Sequence, residues 1–325
     1  MTPMQENSSM SEAKSRSWWS TALVALVAGP FGGFLWIGAG RGAVVSLAIL
    51  SAATLYLCYA GMPVLPGTEF DIAGLTGLFQ IIGGILSAVL VVPFAKRFTR
   101  DKWYAHGLSV LMLVLAVSYG AAFAIRSFLF QPFSIPGSDM TPALQVGDHL
   151  WVSKFAYGYS RYSVPFGLLP IEGRMFEREP RRGDIAVFKK PDNPHLDFVK
   201  RIVGLPGETI QMIDGLLHID GKPVELKEIG PYAMADAGAT LQRETLPNGV
   251  SYSILSIIDD SIGDNTRAYT VPPGHYFVLG DNRDNSSDSR FSVGFVPHEN
   301  LVGKAVRLFW NSRGLDYSDR QTLGQ

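Results

Sequence analysis

Residues 107–136 read GLSVLMLVLAVSYGAAFAIRSFLFQPFSIP, and the change of pattern within them decides the fold. The first part, 107–125, carries no charged side chain and approaches the roughly 20 apolar residues that a helix needs to cross a hydrocarbon core. Arg126 ends the run. From Phe128 onward, aromatic and polar residues mix with a proline, which suits short extended segments and not a continuing helix. A membrane segment hands the chain to a β-rich domain.

Toward the amino terminus the uncharged runs 21–40, 42–68 and 75–95 also meet the length of a span. With 107–125 they predict about four transmembrane helices in a membrane domain, 20–126, behind a polar segment, 1–19. In the first run, Gly29-Pro30-Phe31-Gly32-Gly33 weakens a helix and allows a kinked or re-entrant piece instead. The 96–103 loop holds Lys96, Arg97, Arg100 and Lys102, whereas Glu69 and Asp71 follow the second run. The positive-inside rule places the basic loop in the cytoplasm and residues 127–325 on the far side. If all four runs cross, the amino terminus is also outside, against the pull of Lys14 and Arg16.

Composition agrees with a divided chain. Of 325 residues, 47% are hydrophobic and 18% charged, too apolar for an ordinary soluble protein and too charged for a pure bundle. A net charge of −1 offers no field to collect nucleic acid. The single cysteine, Cys58, excludes a disulfide framework and reads as a small buried apolar residue. The polar start and the long apolar region after it do not suit a cleavable signal peptide.

After residue 127, short β-branched segments such as 184–188, 198–203 and 275–279 alternate with turns at Leu205-Pro206-Gly207, Asp220-Gly221, Asn248-Gly249 and Pro272-Pro273-Gly274. This pattern predicts an all-β domain over 127–325. The six histidines show no paired helical spacing and no accompanying cysteines, so no metal site or cofactor is expected.

Three segments carry a resemblance. The first runs from Phe128 through Pro136 to Met140, Pro142 and Val146-Gly147-Asp148. The second comprises Arg182-Gly183-Asp184-Ile185 and Val199-Lys200-Arg201-Ile202-Val203-Gly204-Leu205-Pro206-Gly207. The third is Gly280-Asp281-Asn282-Arg283-Asp284-Asn285-Ser286-Ser287-Asp288-Ser289-Arg290, followed by Gly294-Phe295-Val296-Pro297. In this order after a membrane segment they resemble signal peptidase I, the bacterial membrane-bound serine endopeptidase that removes signal peptides from exported preproteins. The resemblance spans roughly 124–317.

It implies a multi-pass inner-membrane protein with its peptidase domain in the periplasm. Lys200 is implied as the general base, which works only uncharged, a state that apolar burial favours. Ser286 is implied to orient that base, and Asp288 and Arg290 to form a supporting pair, with Arg201 beside the lysine as a further support. A calcium loop fits the third segment less well, because Arg283 stands where an oxygen ligand is needed. An extended peptide would lie along a strand edge, with small pockets selecting small residues before the scissile bond. Lipid is implied as a second partner, for which the aromatic stretches 128–133 and 162–169 could dip into the outer leaflet or form domain core.

The first segment departs from the family. Where the pattern is Pro-Ser-Gly-Ser-Met, this chain has Pro136-Gly137-Ser138-Asp139-Met140. Without gaps, Asp139 takes the nucleophile's place and Gly137 that of the serine at the oxyanion site. A carboxylate facing Lys200 would favour the charged ammonium and remove the base. Alternatively the loop shifts by one residue, Ser138 attacks and Asp139 is accommodated before Met140, which requires a local turn that Gly137 permits. Three readings stay open: an active endopeptidase using Ser138 and Lys200, a paralogue that binds exported peptides without cleaving them, and a peptidase dedicated to one partner protein.

Overall fold

The computed structural model describes residues 16–60, 72–96, 102–164, 171–233, 238–258, 260–314, 320 and 323, with backbone alone at 54–60, 72–80 and 233. Lys14, Glu69, Asp71, Arg97, Arg100, most of the aromatic 162–169 stretch and the side chain of Cys58 lie outside the described residues. The chain divides into two compact units, Met1–Ala122 and Phe123–Gln325.

The first unit is helical: α1 (Trp18–Trp36), α2 (Gly40–Ala60), α3 (Ile72–Val91) and α4 (Gly107–Ala124). Ser17 caps α1 by accepting from the Ser20 amide, and Pro93 closes α3 in a tight turn over Val92–Phe94. α4 runs on through one π-turn, Ile125–Leu129. By length and composition, Trp18–Trp36 and Gly107–Leu129 are long and apolar enough to cross a membrane. Leu108, Leu111, Met112 and Tyr119 of α4 are exposed, as lipid-facing side chains would be. Ala25, Phe34, Ile37, Ala43, Val91 and Val110 form this unit's core.

The second unit is mostly β. Its main sheet has the order β1 (Phe130–Ser134), β2 (Asp148–Ser153), β14 (Leu301–Asn311), β3 (Ile185–Lys190), β4 (Asn193–Gly204), β12 (His275–Leu279) and β13 (Val296–Pro297), with antiparallel neighbours throughout. β3, β4 and β12 cover the segments 184–188, 198–203 and 275–279 in which short strands were expected. A second sheet joins β8 (Glu225–Ala233), β9 (Gly238–Thr245) and β10 (Ser251–Ser256). A third joins β5 (Thr209–Ile213), β6 (Leu216–Ile219), β7 (Lys222–Pro223) and β11 (Tyr269–Thr270). The domain is not purely β, because short 3-10 turns over Lys154–Ala156 and His298–Asn300 punctuate it.

Strand alternation sorts the core. Leu150 and Val152 of β2 and Val187 of β3 pack with Ile135, Met140 and Leu144, so the loop between β1 and β2 is anchored by its own apolar residues. On β4, Lys200 shares a face with Phe198 and Ile202, and that face belongs to the cluster of Ala186, Phe188, Tyr276 and Val278.

Candidate active site

The β1–β2 loop reaches the site because both its ends are fixed. Ile135 donates to Asp148 O at 2.9 Å, and Gly147 donates to Ile135 O at 2.9 Å. Between them, Met140 and Leu144 are buried, which leaves Gly137, Ser138 and Asp139 as the part that projects. Thr141 donates to Ser138 O at 3.1 Å and closes a turn around Asp139.

Lys200 is held in mid-strand between β3 and β12. It pairs with Ala186 across the ladder, its neighbours Arg201 and Ile202 pair with Leu279 and Val278, and its side chain is 0% exposed. Its ammonium contacts the Asp139 carboxylate and lies 5.4 Å from the Phe198 ring centroid. Ser138 turns elsewhere: its Oγ accepts from Asn285 Nδ2 at 3.1 Å. The ungapped register of the box is therefore the one the geometry adopts, with Asp139 on the lysine and Ser138 beside it.

The third segment leaves β12 and wraps back under the loop. Asn282 donates its backbone NH to Asp139 O at 3.1 Å and its Nδ2 to Ser138 O at 3.1 Å. A Cβ on Gly280 would fall 2.6 Å from Asp139 O and 2.1 Å from Ser286 Oγ, so only glycine allows this approach. Ser286 Oγ is buried there without a hydrogen-bond partner among the described residues and does not reach Lys200. Asp288 and Arg290 form a fully buried pair, Nε to Oδ1 at 3.0 Å and Nη2 to Oδ2 at 2.9 Å, and Asp288 also accepts from the Gly280 amide at 3.1 Å.

Arg201 points to the opposite face of β4 and forks onto Asp281 at 2.8 and 2.6 Å. Burial works against its charge, yet Asp281, with Tyr252 and Glu244 behind it, lifts its pKa further above the ordinary guanidinium value. Its guanidinium also lies 3.9 Å from the Tyr252 ring centroid. Tyr252 OH donates to Glu244, whose two oxygens receive Arg283 at 2.9 and 2.6 Å. Sequence reasoning missed Glu244 and Tyr252, because nothing local in β9 or β10 marks Glu244 as the partner of Arg283, 39 positions on, or Tyr252 as the ring beneath Arg201. The charged Arg283 inside an otherwise turn-like segment was the one available hint. Among the described residues no three His, Cys, Asp or Glu side chains gather to hold a metal ion.

Chemically, the site joins a buried amine, a carboxylate and an adjacent hydroxyl on one rigid frame. Lys200 and Asp139 meet as an ion pair, so the amine is occupied by the carboxylate. A lone carboxylate lacks the partner acid that an aspartic protease dyad requires. In the state described, the Lys200 amine is engaged by Asp139, and the Ser138 hydroxyl is engaged by Asn285.

Comparison with known proteins addresses the frame as a whole. The family described as "Signal peptidase, peptidase S26" matches residues 106–310. Signal peptidase I of Rickettsia akari is 42% identical over 69% of this chain and 84% of that protein, and that of Rickettsia typhi is 42% identical over 59% of this chain and 76% of that protein. The crystal structure of a signal peptidase I from Enterococcus faecalis is 28% identical over 40% of this chain and 98% of that one, with a TM-score of 0.25 that adds no weight. The family match takes in α4, the altered loop, Lys200 and the 280–290 segment together, and on it the chain belongs to the signal peptidase I family, peptidase S26.

Proposed function

We propose that this chain is a multi-pass inner-membrane protein whose periplasmic domain acts on the signal peptides of exported preproteins as a serine endopeptidase, and that Asp139 holds it in an off state. One observation carries the reading: Lys200 is completely buried on β4 and meets Asp139 of the β1–β2 loop inside a frame whose other supports, Asp288–Arg290 and Arg201–Asp281, are complete. Such burial suits a lysine that works uncharged. Cleavage requires the Asp139 carboxylate to leave Lys200 and a one-residue shift to bring Ser138 Oγ in. As it leaves, Asp139 carries off the ammonium proton as a carboxylic acid. Neutral Lys200 then takes the Ser138 hydroxyl proton, and the alkoxide attacks the scissile carbonyl of a small residue. The C–N bond breaks with the amine of the mature chain taking the proton from Lys200, and water hydrolyses the acyl-enzyme. Membrane attachment is supported by α4 and its family context, and the side of the peptidase domain by the basic 96–103 loop.

A second reading, in which the protein binds signal peptides without cutting, is favoured by the bond from Asn285 to Ser138 Oγ, which keeps that hydroxyl off the lysine. The purified full-length protein, assayed on a preprotein with an Ala-x-Ala site, separates the two. A releasable off state gives measurable cleavage that Ser138→Ala abolishes and Asp139→Asn preserves or raises. A parent that cuts nothing, and gains cleavage only as Asp139→Ser, establishes the binder.

A further inference from the structure

The helix α1 does not run straight. Gly29 has φ 66° and ψ −175°, a conformation essentially confined to glycine, and Pro30 follows, a residue suited to starting a helix and unable to continue one. A straight helix of this length separates its ends by about 28 Å. Here Arg16, just before the first turn, donates Nε to Trp36 O at the far end at 3.3 Å, with its guanidinium 3.6 Å from the Trp36 ring centroid. The two ends of α1 therefore lie together, and the segment doubles back at Gly29.

The two arms pack on each other. A Cβ on Gly33 would lie 2.9 Å from the Ala25 methyl, although eight residues of continuous helix would hold those positions about 12 Å apart. The flanking helices measure how deep the turn goes. Gly84 of α3 sits against Leu26 O and Gly32 approaches Val114 of α4, each partner seven residues from the end of its helix, about 10 Å along the axis. Shallower, Gly33 meets Val91 at the end of α3. At the rim, Arg16 Nη2 donates to Ala105 O at 2.6 Å and Tyr104 OH to Gly38 O at 3.0 Å. Every level of contact is thus counted from one face, and the turn reaches about a third of a hydrocarbon core roughly 30 Å thick.

We infer that α1 is a re-entrant helical hairpin that enters and leaves the membrane on the face carrying the 96–103 loop, so that the chain crosses three times and begins on that face. The inference rests on the multi-pass reading proposed above. It removes the conflict over the amino terminus: Lys14, Arg16, Arg41, Lys96 and Lys102 all fall on one side, as the positive-inside rule prefers. The Gly29 turn is half-buried, with α3 packed along the hairpin at Leu26 and Gly33, which lessens the cost of backbone groups freed at this depth.

Single cysteines in a Cys58→Ser background, labelled with a membrane-impermeant maleimide in right-side-out and inverted vesicles, test this. Ser11→Cys, Arg41→Cys and Lys102→Cys should label together from one face, and Glu69→Cys and Ser312→Cys from the other. If Ser11→Cys labels with Glu69→Cys while the rest keep their sides, α1 crosses and the hairpin is overturned with the other spans intact. If Glu69→Cys labels with Lys102→Cys, the multi-pass reading itself falls, and the inference with it. Independently of sidedness, an Ala25→Cys, Gly33→Cys pair should lose its free thiols on mild oxidation. Two reduced thiols under conditions that oxidise a surface dithiol would mean a straight helix, since bridging needs Cα atoms within about 7 Å.

Discussion

Lys154 is a second buried lysine, and its setting differs from that of Lys200. It is 1% exposed, and its ammonium donates to Gln131 Oε1 at 3.1 Å and Tyr162 O at 3.5 Å, neither a charge. Burial pushes its pKa down to about 8; Asp197 opposes this, while Lys189, Arg126 and Arg174 add to it. The unfolded chain keeps the proton up to about 10.4. Between these values the unfolded state binds the proton that the folded state has lost, so stability rises with pH across that window and the cost of burying the charge is present in full below pH 8. That cost is on the order of 3 kcal/mol. Lys154→Met should therefore melt above the parent at pH 7, with the gap narrowing by pH 10; a gap independent of pH would show that the charge is not what burial penalises. Lys200 was legible in the sequence because Val199, Ile202 and Val203 flank it in a recognisable box. Lys154, in Val152-Ser153-Lys154-Phe155, was not, because its burial comes from Gln131 and Tyr162 on other elements.

Between elements, the buried Glu244–Arg283 pair ties β9 to the segment that supports Ser138 and Asp139. Both side chains are nearly inaccessible, at 1% and 5% exposed. Removing one partner of such a pair strands the other charge, which typically costs about 3–5 kcal/mol, whereas replacing both by apolar groups is often neutral. Glu244→Ala should lower the urea unfolding free energy by about that much, and Glu244→Leu with Arg283→Met should recover most of it; equal losses in both variants would mean that packing, and not charge, joins the two elements. Gly280→Ala attacks the same junction sterically, since its methyl would overlap Ser286 and the Asp139 carbonyl, and should cost about 1–3 kcal/mol in the same measurement. The strands β3, β4 and β12 could be read from β-branched runs bounded by glycine and proline. β8 could not: Lys227-Glu228-Ile229-Gly230-Pro231 lacks alternation, and its pairing with β9 supplies what the pattern does not.

On the scale of the whole molecule, the sequence located the apolar runs but could not decide whether the first one crosses. Hydropathy counts residues and is blind to a chain that doubles back, and only the contacts of Arg16, Ala25 and Gly33 decide that α1 is folded on itself. Sidedness and burial together make a sharper test of the rest of the topology. Lys96 and Lys102 are exposed beside the helical unit, and Lys222 and Lys227 are exposed on the β unit, whereas Lys154 and Lys200 are buried. On the proposed topology α4 separates the first pair from the second, so an impermeant amine-reactive ester meets only one pair at a time. On spheroplasts it should modify Lys222 and Lys227 and spare Lys96 and Lys102; on inverted inner-membrane vesicles the pattern should reverse, with Lys154 and Lys200 unmodified in both, as read by peptide mass spectrometry. The opposite assignment would place the β unit in the cytoplasm, away from any exported preprotein, and would defeat the proposed function, whereas modification of both pairs from one side would mean that α4 does not cross at all.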